Sequence, residues 1–295
     1  MSRGERFALG SIALGCLVLG LKGAAWWLTG SAALYSDALE STVNVAASVV
    51  AFVALRFAAI PADANHPYGH DKAEFFAAVV EGVLIIVAAL SIFVHAAHVL
   101  LDPQPLVWPL EGLALNAVAT LINGIWSVVL TRIGRRLRSP ALVADGKHLM
   151  ADVVTSFGIA AGVAVAILSN MLILDPVIAA LTGVYVLWSG SRMVLGSVSD
   201  LMDAAPEPAV LDRIRALVAQ SGTGAIEAHD LRTRIAGRLT FLEFHLVVPG
   251  SMTVAASHEI CDRIEATLKG EMEHLMVTIH VEPEEKAKQH GVLVL

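Results

Sequence analysis

Charge is scarce in this sequence. Only 16% of its 295 residues are Asp, Glu, Lys or Arg, against roughly a quarter in an ordinary soluble chain. The shortfall is uneven. Residues 1–200 are very apolar, and residues 204–290 have the mixed composition of a soluble domain. Cysteine is nearly absent: Cys16 and Cys261 lie far apart and no CxxC pair occurs, which excludes a disulfide framework. Basic residues form no stripe, and the net charge is −7. A nucleic-acid partner is therefore excluded. Enzyme signatures are also missing. His258-Glu259-Ile260-Cys261-Asp262 begins like the zinc-protease HExxH motif, but Asp262 replaces the second histidine. No GxSxG elbow or Walker-type phosphate loop is present.

What is present is a set of long apolar runs. Six segments, 7–28, 33–55, 75–100, 108–131, 141–168 and 172–195, are long enough to cross ~30 Å of hydrocarbon as helices of about 20 residues. The first also has the basic start of a signal peptide, but five further spans follow and it groups with them. Thr29-Gly30-Ser31, Asp102-Pro103-Gln104-Pro105 and Asp175-Pro176 read as breaks between spans. Lys and Arg sit before span 1, between spans 2 and 3, between spans 4 and 5, and at the end of span 6. The connections 1–2, 3–4 and 5–6 carry none. The positive-inside rule then puts both termini and the C-terminal domain in the cytosol. That domain reads α (207–220), β (228–235), β (239–248), α (253–268), β (275–282), a small open sheet with helices on one face. The expected domains are 1–203 and 204–290.

Ionisable side chains inside a bilayer mark function by default. Span 2 carries Asp37, Glu40 and Asn44, and span 5 carries Asp145, His148 and Asp152. Spacings of three and four put each triplet on one helical face. Asp37 and Asp145 lie near span ends, where a solvated carboxylate is an equal reading. Glu40, Asn44, His148 and Asp152 lie deeper, and four such side chains from two helices suit a tetrahedral divalent ion. Glu81, His95, Asn116 and Asn123 read as interhelical hydrogen-bonding or pathway residues. Lys22 reads as snorkelling to the outer surface. Gly158-x-x-x-Gly162 is a close-packing pair.

Two further clusters lie outside the spans. Asp63, His66 and His70 fall within eight residues of a cytosolic connection. They suit a metal, although a plain polar turn would look similar. His229, His245, His258, His280 and Glu282 are spread over the C-terminal domain. Strand alternation puts His280 and Glu282 on one face, and His245 with Phe241 and Glu243. Spacing alone makes these surface histidines.

The stretches Ser36-Asp37-Ala38-Leu39-Glu40 to Asn44, Pro61 to Glu74 with its Asp63-x-Asn65-His66-x-Tyr68-Gly69-His70-x-Lys72 core, Ala144-Asp145 to His148-x-x-x-Asp152, and His229-Asp230-Leu231-Arg232-Thr233 together resemble the cation diffusion facilitator family. They resemble in particular its bacterial iron- and zinc-exporting branch. The resemblance covers nearly the whole chain. It implies an α-helical membrane protein of six transmembrane helices with a ferredoxin-like α+β (αββαβ) cytosolic domain, working as a homodimer. It implies efflux of divalent metal, Zn²⁺ first and Fe²⁺ or Mn²⁺ as alternatives, in exchange for protons across the inner (plasma) membrane. The transport site would fall on Glu40, Asn44, His148 and Asp152. A loop site would fall on Asp63, His66 and His70. A regulatory cytosolic site would fall on His229, His245, His258, His280 and Glu282. Lys72 and Asp203 would form a charge interlock near the dimer interface. The departure is in span 2, where the family usually has Asp or His followed four residues later by Asp. Asn44 offers a neutral oxygen and cannot release a proton, and Asp37 is one turn away to compensate. A membrane-bound metal sensor that does not transport is the alternative.

Overall fold

The structure is a computed structural model, which describes residues 3–101, 109–169, 171, 173–288 and 292–293. The chain divides into two compact units, Met1–Val198 and Ser199–Leu295.

The first unit is all helix: α1 (Arg3–Thr29), α2 (Ala32–Ala58), α3 (Ala73–Leu101), α4 (Pro109–Leu137), α5 (Pro140–Ser169) and α6 (Leu174–Leu201). All six are long and apolar enough to cross a membrane. Helices satisfy every backbone group within the segment, which lipid demands. Most helices run past the apolar spans, because backbone bonding continues into the polar flanks. α4 continues through Arg135 and Arg136 to Leu137. The break expected at Asp175-Pro176 is instead the first turn of α6, where a proline lacks no needed hydrogen bond. The turn expected at Asp102–Pro105 lies outside the described residues. Between α1 and α2 only Gly30 and Ser31 intervene. Gly30 takes the left-handed φ of +65° that reverses the chain, and Ser31 Oγ caps α2 by accepting from Leu34 N.

α1, α2, α4 and α5 pack on one another, and α3 packs on α2 and α5. Small residues set the approach. A Cβ on Gly82 of α3 would lie 3.1 Å from Gly190 O of α6, and a Cβ on Gly190 would lie 3.1 Å from Gly82 O. Gly162 leaves room for Ile178 of α6, whose Cδ1 would be 2.5 Å from an added Cβ. Apolar side chains face outward along these helices, among them Val87, Leu121, Phe157 and Leu181. The polar ones turn in.

The second unit holds α7 (Pro208–Ser221), β1 (Glu227–Ala236), β2 (Leu239–Val248), α8 (Val254–Glu271), β3 (Leu275–Pro283), a 3-10 turn (Glu284–Lys286) and β4 (Val292–Leu293). The sheet order is β3-β2-β1-β4. β1 pairs antiparallel with β2 and with β4, and β3 pairs parallel with β2 across the α8 crossover. The expected αββαβ order is there, with β4 added from the apolar tail. Gly291, Val294 and Leu295 lie outside the described residues, as does His290. Alternation along β2 sends Leu242, Phe244, Leu246 and Val248 into a core with Ile214, Leu217 and Val218 of α7 and Ile260, Ile264 and Leu268 of α8. The opposite face of the sheet is left for polar side chains.

Candidate functional site

Inside the first unit the polar faces of α2 and α5 meet. Carboxylate oxygens of Asp37, Glu40 and Asp152 lie within 4.8 Å of one another. All three residues are buried. Lys22 of α1 completes the cluster. Its Nζ donates to Asp37 Oδ1 at 2.8 Å, Asp152 Oδ2 at 2.7 Å and Ser156 Oγ at 2.9 Å. Three ammonium hydrogens thus meet three acceptors, and the side chain is 0% exposed. The snorkelling expected of Lys22 is therefore corrected. A buried ammonium is tolerated here because two carboxylates neutralise it and every hydrogen is used. The solvated reading of Asp37 and Asp145 is corrected as well, since both are fully buried.

α4 supports the cluster from a third side. Asn116 Nδ2 donates to Asp37 Oδ2, and Asn123 Nδ2 donates to Asp152 Oδ2 at 2.5 Å. Ser156 Oγ donates to Asp37 Oδ1 at 2.7 Å, and Thr155 Oγ1 donates to Glu40 Oε2 at 3.2 Å. Asn116 and Asn123 thus link helices, as their sequence positions suggested. Towards the N-terminus of α5, Ser48 of α2 donates to Asp145 Oδ1 at 3.3 Å. His95 lies apart from this cluster, its ring 4.4 Å from that of Tyr35.

Several buried atoms along these faces have no hydrogen-bond partner among the described residues. They are Glu40 Oε1, both amide atoms of Asn44, both ring nitrogens of His148, Asp152 Oδ1, Asp145 Oδ2 and Glu81 Oε1. Such atoms are rare in native interiors and call for a ligand or a function. Apart from Glu81 Oε1 on α3, they fall on successive turns of α2 and α5, and nearly all are oxygen or imidazole nitrogen. That donor set suits a divalent first-row metal ion.

The connection between α2 and α3 gathers a second set. Asp63 accepts amide hydrogens from His66 at 2.7 Å and Asn65 at 2.8 Å. These bonds, that from His66 foremost, hold the Asp63 carboxyl below the usual carboxylate range. Gly69, at φ +84°, turns the chain so that His70 comes back. His70 Nε2 then stands 3.7 Å from Asp63 Oδ2, and His66 Nδ1 stands 3.5 Å from Asp63 Oδ1. Ligand atoms of the three residues lie within 4.8 Å of one another. Lys72 and Asp203 belong to different units. Within its own unit Asp203 stands 3.8 Å from Arg234.

The third set lies on the polar face of the sheet. His229, His245 and His280 are register partners on β1, β2 and β3. Glu282 reaches across them, with Oε2 3.2 Å from His229 Nε2 and Oε1 3.2 Å from His245 Nδ1 and 3.7 Å from His280 Nε2. Glu227, which the sequence reading passed over, stands with Oε1 3.2 Å from His229 Nδ1. Its position two residues before His229 in a strand was the available signal. Asp230, at φ +53°, sits where the β1–β2 register shifts, which sets the aim of His229. The Lys288 ammonium holds the Asp230 carboxyl below its usual range. Both ring nitrogens of His229 and Nδ1 of His245 lie close to carboxylates yet make no aligned hydrogen bond among the described residues, which suits metal-ligand atoms. His258 is not in this group. It stands on α8, 74% exposed, with Asp262 at 3.6 Å.

Bilayer-length helices with a buried acidic cluster define an integral membrane protein built to handle cations. The comparisons give the family. Residues 8–202 match the cation efflux transmembrane domain, and residues 206–284 match the cytoplasmic domain of cation efflux proteins. The chain belongs to the cation efflux family of transporters and is a multi-pass membrane protein. It is 44% identical over 282 residues to an uncharacterized transporter, sll1263, of Synechocystis sp., covering 96% of this chain and 91% of that one. It is 32% identical over 280 residues to the cation-efflux pump FieF of Cronobacter sakazakii, covering 95% and 92%. With the FieF of Yersinia pestis it shares 33% over 276 residues, covering 94% and 91%.

Proposed function

We propose that this protein exports divalent transition-metal ions from the cytosol in exchange for protons, as a homodimer that alternates access across the inner (plasma) membrane. One observation carries the reading. The buried oxygens of Asp37, Glu40 and Asp152, with the donor atoms of Asn44 and His148 that have no partner among the described residues, form a buried donor set between bilayer-length helices. Glu40, Asn44, His148 and Asp152 hold the ion in this scheme, and Asp37 supplies the charge that Asn44 lacks. Ligands must lose protons to bind metal, so ion and protons compete for Glu40, His148 and Asp152. Asn44 carries no proton in either state. Imidazole beside carboxylate favours Zn²⁺, with Fe²⁺ or Mn²⁺ next because oxygen donors dominate. Asp63, His66 and His70 bind metal on the cytosolic side. His229, His245, His280 and Glu282 bind it in the cytosolic domain, with His258 as a separate exposed ligand, and stabilise the dimer when metal is abundant.

Reconstituted vesicles with a pH gradient, offered Zn²⁺, Mn²⁺ and Fe²⁺ side by side, test this. Gradient-driven uptake is expected, with Zn²⁺ fastest, and Asp152→Ala is expected to abolish it while leaving a folded protein. Absence of flux for every ion, with metal still bound to the C-terminal domain, would leave the sensor reading in its place.

A further inference from the structure

We propose that Lys22 is a tethered counter-cation that competes with the transported ion for Asp152. The inference rests on the reading of the buried cluster as the transport site and adds to it the residue that sets its affinity. Lys22 and Asn123 both engage Asp152 Oδ2, while Asp152 Oδ1 has no hydrogen-bond partner among the described residues. A divalent ion taking Oδ1 shares one carboxylate with an ammonium in a buried place, where the repulsion is screened less than at the surface. One of the two cations must yield.

Lys22 has somewhere to go. Asp37 Oδ1 and Ser156 Oγ already hold its Nζ at 2.8 and 2.9 Å, and they are hydrogen-bonded to each other. Rotation about the flexible lysine stem keeps those two contacts and gives up only Asp152. When the ion leaves, the ammonium returns, so Asp152 is never left as a bare buried charge. The formal charges agree. Three carboxylates less one ammonium leave two negative charges, which a divalent ion cancels and a monovalent one does not. Lys22 therefore weakens ion binding and speeds ion release.

The test is Zn²⁺ binding to the detergent-solubilised full chain by equilibrium dialysis, each variant read against its Asp152→Ala counterpart. Lys22→Gln is expected to lower the Asp152-dependent Kd by about fivefold or more, the range of ordinary coupling between two ligands. In vesicles the same variant is expected to show a lower KM and a lower maximal rate together. A lysine that merely supports the fold would not tighten binding. An unchanged or raised Kd, or no Asp152-dependent binding, overturns the proposal. If Lys22→Gln does not fold, the double variant Lys22→Gln/Asp37→Asn, which removes the ammonium together with one of the two carboxylates it pairs and so keeps the net charge of the cluster, is read instead. Its Kd is expected at or below the parent value, and a higher one overturns the proposal. Failure of the parent protein to transport, with these binding shifts intact, would remove the transporter reading alone.

Discussion

Replacing Gly146 by alanine would drive a methyl group into the backbone of α4. The new Cβ would lie 2.5 Å from Thr131 Oγ1, 2.8 Å from Thr131 N and 3.1 Å from Ser127 O. The threonine hydroxyl can rotate away, but the amide and the carbonyl are fixed in a helix. Ordinary contact distances of ~3.5 Å then require α4 and α5 to part by about 0.7 Å. Overpacking of this kind costs about 1–3 kcal/mol, offset by about 1 kcal/mol because alanine suits a helix better than glycine. Stability should fall only modestly. Function should fall more, because Asp145 and His148 flank Gly146 on α5. Misplacing a working group by ~1 Å costs about a hundredfold, so a loss of tenfold or more in Zn²⁺ flux is expected. The assay is the initial uptake rate in vesicles, beside thermal unfolding of the same preparation. Gly20→Ala on α1 is the control. Nothing among the described residues lies within 4 Å of the Cβ it adds, and it should leave flux unchanged. Parent-like flux from Gly146→Ala would refute the close α4–α5 crossing as the element that positions the site.

In the C-terminal unit, Glu282→Gln should weaken metal binding there by about 10–100-fold, because one carboxylate serves three histidines. His258→Ala should leave that affinity within twofold, and calorimetric titration of both variants checks the pair. Equal losses from the two would show that α8 contributes to the cluster. Phe244→Ala removes a fully buried ring from the core between sheet and helices and should cost about 3–5 kcal/mol. A melting temperature of the C-terminal unit equal to that of the parent would contradict the packing described.

The membrane spans were legible because a 20-residue apolar run has few other meanings. Their ends were not, since Arg135 and Arg136 carry α4 onward where composition has already turned polar. The polar triplets on spans 2 and 5 were legible from spacing alone. Lys22 was not, because its partners are 15 and 130 residues away and position along a helix does not reveal what faces it. In the C-terminal domain the order of helices and strands was legible from periodicity, and the cross-strand row His229–His245–His280 followed only once register was known. A two-residue strand such as β4 leaves no periodic trace.

The two-residue link between α1 and α2 makes those helices one hairpin, and the short link between α4 and α5 makes a second. The cluster's hydrogen bonds divide accordingly. Lys22–Asp37 lies within the first hairpin, and Asn123–Asp152 and Ser127 Oγ to Gly146 O lie within the second. Lys22–Asp152, Asn116–Asp37, Ser156–Asp37 and Thr155–Glu40 run from one hairpin to the other. A rocking of one hairpin on the other would open the second group and spare the first. Each carboxylate of the two aspartates would then keep a companion on its own hairpin, and the seam between the hairpins is a polar zip that can part without stranding Asp37 or Asp152.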